Sequence, residues 1–159
     1  MTDDERWMDL ALREAGLAYN KKEVPIGAII VHENKIIGRG YNQVETLRDP
    51  TAHAEMIAIT AAADSMENHR LGECTMYVTL EPCSMCAGAI VLARLQRVVY
   101  GTPDPKAGAC GTIFNVVQNE RLNHRVELVP GVLEKKCSGV LTDFFRSVRT
   151  NGMGKPGVN

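Results

Sequence analysis

Four side chains in two short stretches of this chain have types and spacing that suit metal-dependent hydrolysis. The first stretch contains His53 and Glu55, and the second contains Cys83 and Cys86. Two cysteine thiolates and one neutral imidazole supply three ligands of a tetrahedral zinc ion, and a catalytic zinc site keeps its fourth position for water. We therefore expect one Zn²⁺ per chain, bound by His53, Cys83 and Cys86.

Glu55 distinguishes a catalytic zinc site from a structural one. A spare carboxylate beside a structural zinc ion would compete for coordination. Hydrolysis, in contrast, needs a base that takes a proton from water and returns it to the leaving group. Two thiolate ligands neutralise the zinc charge and acidify its water less than imidazoles would, so a carboxylate base is needed. We expect Glu55 to be the catalytic proton shuttle.

The four side chains lie where two helices are predicted to begin. Cys83 and Cys86 are three residues apart, so both sulfur atoms fall on one side of a helix start. The positive potential at a helix N-terminus favours thiolates over thiols. Pro82 suits the first turn of a helix over residues 82–95. His53 stands at the opening of a helix over 52–66, so two helix starts can converge on one metal ion.

The remaining pattern predicts an α/β fold. Strands over 74–80 and 97–101 flank the second of these helices, which implies a parallel pair with a right-handed crossover. We expect a three-layer sandwich, with a mixed five-stranded sheet and helices on both faces. One domain should cover residues 1–150, followed by a disordered tail over 151–159. The other predicted elements are helices over 4–20 and 132–150, strands over 26–31 and 35–41 joined by a hairpin at Glu33-Asn34, and a strand over 125–129.

Composition limits the possible partners and location. The chain has 159 residues, of which 45% are hydrophobic and 23% charged, as in an ordinary soluble domain. No apolar run is long enough for a membrane span, and the acidic N-terminus does not resemble a signal peptide, so we expect a cytoplasmic protein. Residues 1–90 carry eight Lys and Arg against fourteen Asp and Glu, whereas residues 91–159 carry ten against five. A nucleic acid would therefore bind a local basic face, with Lys106, Arg121, Arg125, Arg146 and Arg149 as candidates.

Cys-x-x-Cys alone leaves other chemistry open. It could be a redox pair, or half of a structural zinc knuckle that would need two further ligands. Five cysteines, an odd number, argue against a disulfide framework. The other cysteines and histidines are expected to pack in the core or to be solvated rather than to bind metal: Cys74, Cys110, Cys137, His32, His69 and His124.

His-x-Glu followed by Pro-Cys-x-x-Cys resembles the signature of the cytidine deaminase superfamily. Several blocks outside that signature are similar to the bacterial tRNA-specific adenosine deaminases, and the similarity extends over about residues 5–150. These blocks are residues 23–28, 49–55, 77–83, 85–89, 123–126 and 143–146.

The resemblance implies a cytidine deaminase-like fold, a homodimer, and zinc-dependent hydrolysis of adenosine to inosine at the wobble position of a tRNA anticodon. It implies that Asn42, Ala54 and Leu80 form the base pocket. It further implies that the anticodon stem-loop runs past Asp104, Lys106, Phe145 and Arg146. The alternatives are a deaminase of a free base or nucleoside (cytosine, cytidine or guanine), a non-catalytic zinc module that binds RNA, and a thiol redox protein.

Overall fold

Helices and strands alternate along the chain nearly as the hydrophobic pattern predicts. A computed structural model describes residues 1–150, and the predicted tail over 151–159 lies outside the described residues. Within them, no helix combines the length and the apolar content that crossing a bilayer requires. The elements are α1 (Asp3–Asn20), β1 (Gly27–His32), β2 (Lys35–Tyr41), α2 (Val44–Leu47), α3 (Ala54–Met66), β3 (Thr75–Leu80), α4 (Ser84–Ala93), β4 (Arg97–Thr102), β5 (Glu127–Val129) and α5 (Glu134–Thr150).

The five strands form one mixed sheet in the order β2-β1-β3-β4-β5. Strand β1 runs antiparallel to both β2 and β3, while β3, β4 and β5 are parallel to one another. The hairpin between β1 and β2 turns at Glu33 and Asn34, whose φ angles are 48° and 63°. Two consecutive residues with positive φ match the twist of antiparallel strands, as in a type I′ turn. The predicted hairpin and parallel pair are confirmed.

Helices cover both faces of the sheet and make a three-layer sandwich. Alternate residues of β1 point to opposite faces. Ile29 packs with Met8 and Ala11 of α1, whereas Ile30 belongs to the core that includes residues of α3 and α4. Cys137 of α5 packs on the α1 side of the sheet. The predicted fold class is therefore confirmed.

A glycine on β2 brings the start of α3 close to the sheet. A Cβ atom on Gly40 would overlap the backbone carbonyl oxygen of Ala54, the first residue of α3. Only glycine allows this approach, because it has no side chain. The contact fixes the helix start that carries His53 and Glu55 against the edge of the sheet.

Most element boundaries lie within one or two residues of the sequence predictions, and the differences with a physical reason concern α4, β5 and α2. Helix α4 begins at Ser84, and the amide of Ala87 donates to the Cys83 carbonyl at 2.8 Å, which makes Cys83 the N-cap. Pro82 therefore precedes the cap, and its predicted place in the first helical turn is wrong. Strand β5 covers three residues, since only Glu127–Val129 pair with β4. The short helix α2 was not predicted, because four residues are too few to show a helical period.

Candidate active site

Two helix N-termini meet at the carboxyl end of β3. His53 is the N-cap of α3 and Cys83 the N-cap of α4, and both have extended backbone angles. Neither side chain caps its own helix, so imidazole and sulfur are available to each other. Cys86 lies in the first turn of α4 and is buried. The predicted convergence of two helix starts is present in the structure.

The distances between the three candidate ligand atoms fit tetrahedral zinc. Nδ1 of His53 lies 3.6 Å from Sγ of Cys83 and 3.5 Å from Sγ of Cys86. Bonds of about 2.3 Å to sulfur and about 2.0–2.1 Å to nitrogen, at a tetrahedral angle, place those atoms about 3.6 Å apart. All three ligand atoms lie within 4.8 Å of one another, and no other such group occurs among residues 1–150. His53, Cys83 and Cys86 can therefore hold a metal ion, and their chemistry suits zinc.

One of the two sulfur atoms, Sγ of Cys83, belongs to an acidic thiol. Hydrogen bonds from the Cys86 thiol and from His53 lower the pKa of the Cys83 thiol to about 4, and the backbone amide of Cys86 adds to the effect. The same coupling raises the pKa of Cys86. Hydrogen bonding to Cys83 raises the pKa of His53. A thiolate is the form of cysteine that binds metal, so the sulfur atom of Cys83 is available as a metal ligand.

Glu55 is buried in the first turn of α3, two residues after His53. Burial raises the pKa of its carboxyl group to about 7, because desolvation disfavours the charged form. Its Oε1 atom has no hydrogen-bond partner among the described residues. A buried polar atom without a partner costs about 1–3 kcal/mol, so a ligand or a water molecule at the metal site is the natural partner of this oxygen.

Asn42 carries the other buried side-chain atom without a hydrogen-bond partner in residues 1–150, namely Oδ1. Its backbone amide donates to the carbonyl of Ile26 at 3.0 Å, and its Nδ2 donates to the carbonyl of Val24 at 3.4 Å. These bonds fix the residue just after β2. A fixed amide with a spare acceptor suits recognition of a base edge, which the sequence predicted for Asn42.

A cavity of about 560 Å³ collects most of the other predicted site residues. Leu80, Asp104, Lys106 and Phe145 all line it, and Arg149 completes the polar part of its wall. Ala54 is buried at the start of α3 and is not part of this lining. Arg146 is exposed on α5 and does not line the cavity either, so its predicted RNA contact stays a prediction.

The basic residues of the second half of the chain lie in separate places. Lys106 and Arg149 line the cavity just described, whereas Arg125 lines another cavity of about 610 Å³ together with Arg70 and Arg94. This basic cavity lies where β3, β4 and β5 begin, at the edge of the sheet opposite the metal ligands. The single basic face considered for nucleic acid is therefore divided in two.

The sequence predictions missed two buried carboxylates that hold loops around the site. Glu23 accepts hydrogen bonds from the amides of Glu45 and Thr46 at 3.1 Å and 2.6 Å, and so fixes α2 beside Asn42. Glu81 accepts bonds from the segment 104–112. The position of Glu81 in the sequence could have indicated its role. An acid between an apolar strand and the Pro-Cys turn must be buried, and a buried carboxylate requires donors.

Known proteins share this arrangement over nearly the whole chain. A family model of MafB19-like deaminases matches residues 2–149. A tRNA-specific adenosine deaminase of Bacillus subtilis is 51% identical over 149 residues, which cover 94% of this chain and 92% of that protein. The chain belongs to the family of tRNA-specific adenosine deaminases. A relative of the same name from Aquifex aeolicus is 46% identical over 147 residues, covering 92% of this chain and 97% of that protein.

Solved structures support the same family. One, from a study of A-to-I editing by tRNA:A34 deaminases at the wobble position of transfer RNA, has a TM-score of 0.82 at 40% identity and covers 86% of this chain and 99% of that chain. A guanine deaminase from Nitrosomonas europaea is 21% identical with a TM-score of 0.75, covering 91% of this chain and 85% of that chain. At that identity the likeness shows the fold alone. The predicted cytidine deaminase-like fold is confirmed.

Proposed function

We propose that this protein converts adenosine to inosine at the wobble position of a tRNA anticodon by zinc-dependent hydrolysis. The observation that carries the chemistry is the meeting of His53, Cys83 and Cys86 with the buried carboxylate of Glu55, whose Oε1 has no partner. The choice of adenosine in tRNA is supported by the relatives, which are 43–51% identical and bear the name of that activity.

The side chains of the site divide the reaction between them. Zinc, when bound, supplies a Lewis acid that makes water a nucleophile near neutral pH. Glu55 takes the proton of the attacking water and passes it to N1 of adenine, which makes C6 electrophilic. After water has added to C6, Glu55 takes the remaining proton from the new C6 hydroxyl and delivers it to the amine. The C6 carbonyl forms as the bond from C6 to the amine breaks, so that adenosine and water yield inosine and ammonia. Asn42 holds the base edge during these transfers.

The cavity of about 560 Å³ suits the RNA on either side of the target base. Lys106 and Arg149 place positive charge on its wall, and Phe145 offers an aromatic ring. Unstacked loop nucleotides are recognised by aromatic stacking and by hydrogen bonds to their edges, while basic side chains contact phosphates. An anticodon loop presents such nucleotides, whereas a free base would leave this cavity unused.

A comparison of substrates tests the proposal. We expect the zinc-loaded protein to release ammonia from an anticodon stem-loop with adenosine at the wobble position, and to leave the same stem-loop with guanosine there unchanged. Activity on free adenosine, cytidine, cytosine or guanine, with none on the stem-loop, would favour the nucleoside or base deaminase. Bound zinc and bound RNA without ammonia release would favour a non-catalytic module. A reversible Cys83–Cys86 disulfide without metal would favour the redox protein, although all five cysteines are free in the structure.

The homodimer and the cytoplasmic location remain predictions from the resemblance and from composition. Three exposed apolar side chains provide surface that a second copy could cover. They are Leu92 of α4 and Ile113 and Phe114 of the loop between β4 and β5, with exposed fractions of 77%, 51% and 57%. Light scattering at micromolar concentration should give twice the mass of one chain, 17.4 kDa. The mass of a single chain would contradict the dimer.

A further inference from the structure

The carboxylate of Glu81 is the centre of a buried hydrogen-bond network. One of its oxygens accepts the amide of Asp104 at 3.0 Å and the hydroxyl of Thr112. The other accepts the amides of Cys110 at 3.0 Å and Thr112 at 3.1 Å. Glu81 is 1% exposed, and no basic side chain pairs with it in the part of the chain that the structure describes. Its charge is therefore balanced by donors from one segment alone.

The Glu81 side chain holds both ends of that segment, residues 104–112: Asp104 at its start and Cys110 and Thr112 at its end. The segment contains no helix and no strand of the sheet. The amides between its two ends bond to the side chain and carbonyl of Asp104 and to the carbonyl of Pro82, so Glu81 supplies the acceptors at the ends. A Cβ atom on Gly108 would overlap the Glu81 carboxylate, so glycine permits the segment to close over it. A neutral amide in place of the carboxylate would offer one acceptor oxygen instead of two and would turn a donor toward other donors.

Glu81 connects this segment to the metal site. It lies between the end of β3 and Cys83, and its own amide donates to the carbonyl of Thr102 at 2.9 Å. The carbonyl of the next residue, Pro82, accepts the amide of Ala109 at 2.9 Å. The start of the same segment, Asp104 to Lys106, lines the cavity of about 560 Å³. One carboxylate thus sets the distance between the metal-binding turn and one wall of that cavity.

We propose that Glu81 is a positioning residue for RNA binding. Its carboxylate holds residues 104–112 where Asp104 and Lys106 contact the strand that leaves the catalytic pocket, and it takes no part in the proton transfers. This proposal rests on the proposed function. It separates two roles within three residues of sequence, because Cys83 binds the metal and Glu81 positions the segment that binds RNA.

The test compares Glu81→Gln with the wild type on an anticodon stem-loop. We expect one zinc per chain, kcat within about twofold of the wild type at saturating RNA, and KM raised about tenfold, which corresponds to about 1.4 kcal/mol. The Kd of a fluorescent stem-loop should rise by the same factor. Glu14→Gln, a change of another buried carboxyl group, on α1, should leave KM and Kd unchanged.

Other results would overturn the proposal. An unchanged KM and Kd would show that the network serves stability alone, and a fall in kcat that tracks lost zinc would assign Glu81 to the metal site. If Glu81→Gln does not fold, Thr112→Val removes the hydroxyl donor alone. Thr112→Val should raise KM about threefold without changing kcat. An unchanged KM for Thr112→Val would also contradict the proposal. If the wild type binds the stem-loop but forms no inosine, the proposed function is wrong, and the Kd values of the wild type and Glu81→Gln still test the role of Glu81. If the wild type does not bind the stem-loop, both the proposed function and the role of Glu81 in RNA binding are wrong.

Discussion

Replacing Glu55 by glutamine should make the protein more stable and catalytically inactive. The amide keeps the size of the side chain but removes a buried charge, and Oε1 of that carboxylate has no partner in residues 1–150. Burial raises the pKa of the Glu55 carboxyl from 4.5 to about 7, and one pKa unit corresponds to about 1.4 kcal/mol, so its ionisation at pH 7 opposes folding by a few kcal/mol. We therefore expect the free energy of unfolding of the metal-free Glu55→Gln protein to exceed that of the metal-free wild type by about 1–3 kcal/mol.

The effect on turnover should be in the opposite direction. A positioned general acid–base contributes about 10²–10⁴-fold to a rate, and Glu55 is proposed to act in more than one proton transfer of the cycle. We expect a loss toward the upper end of that range, with one zinc retained per chain. Urea unfolding of the metal-free proteins and single-turnover inosine formation by the zinc-loaded proteins measure the two effects. Turnover of Glu55→Gln within about tenfold of the wild type would refute its role. A lower stability of the metal-free variant would contradict the argument that the ionised carboxylate of Glu55 destabilises the fold.

The remaining predictions concern the metal, one ion pair and the RNA. His53→Ala and Cys86→Ala should each lose zinc and activity together, measured by elemental analysis, and a variant that keeps one zinc would remove that residue from the ligand set. Arg97 contacts both carboxylate oxygens of Asp4 at 2.6–2.9 Å and lowers the Asp4 pKa. Asp4→Asn should therefore lose about 2 kcal/mol of stability at pH 7. A carboxyl group whose pKa is lowered by folding stabilises the protein at pH values above its unfolded pKa. The stability deficit of Asp4→Asn should therefore shrink as the pH falls through the folded pKa of Asp4, and a deficit independent of pH would contradict the ion pair. Lys106→Ala should weaken stem-loop binding and reduce the salt slope by about 0.7, and an unchanged slope would place Lys106 away from phosphate.

The metal site could be predicted from sequence because its chemistry is local. Cys83 and Cys86 are three residues apart at a helix start, so their spacing alone indicates a shared face. His53 and Glu55 lie two residues apart at another helix start, and there the residue types, a ligand and a base, indicate hydrolysis. Only the meeting of the two helix starts required the fold, and the parallel arrangement around α4 made that meeting expected. The hairpin of β1 and β2 and the parallel pair of β3 and β4 followed similarly from strand patterns and connection lengths. The order of all five strands was not predicted and comes from the structure.

The loops around the site could not be predicted in the same way. Helix α2 and the segment 104–112 are held by Glu23 and Glu81, whose partners are backbone amides from 22 to 31 residues away. No local pattern records such bonds.

Helix phase explains why Arg149 rather than Arg146 lines the cavity. Phe145 and Arg149 are four residues apart and share a face of α5. Arg146, adjacent in sequence to Phe145, is turned about 100° around the helix axis. Proximity in sequence to Phe145 favours Arg146 as the cavity-lining arginine, which the structure does not bear out. The spacing of four residues from Phe145 predicts Arg149 instead.

Sequencing of tRNA after incubation with the zinc-loaded protein tests the central claim most directly. Total tRNA should acquire inosine, which is read as guanosine, at the wobble position of a tRNA with adenosine there. Protein carrying Glu55→Gln should leave that position as adenosine. The claim would be contradicted if the wobble adenosine stayed unchanged while the same preparation, with one zinc per chain, released ammonia from a free base or nucleoside.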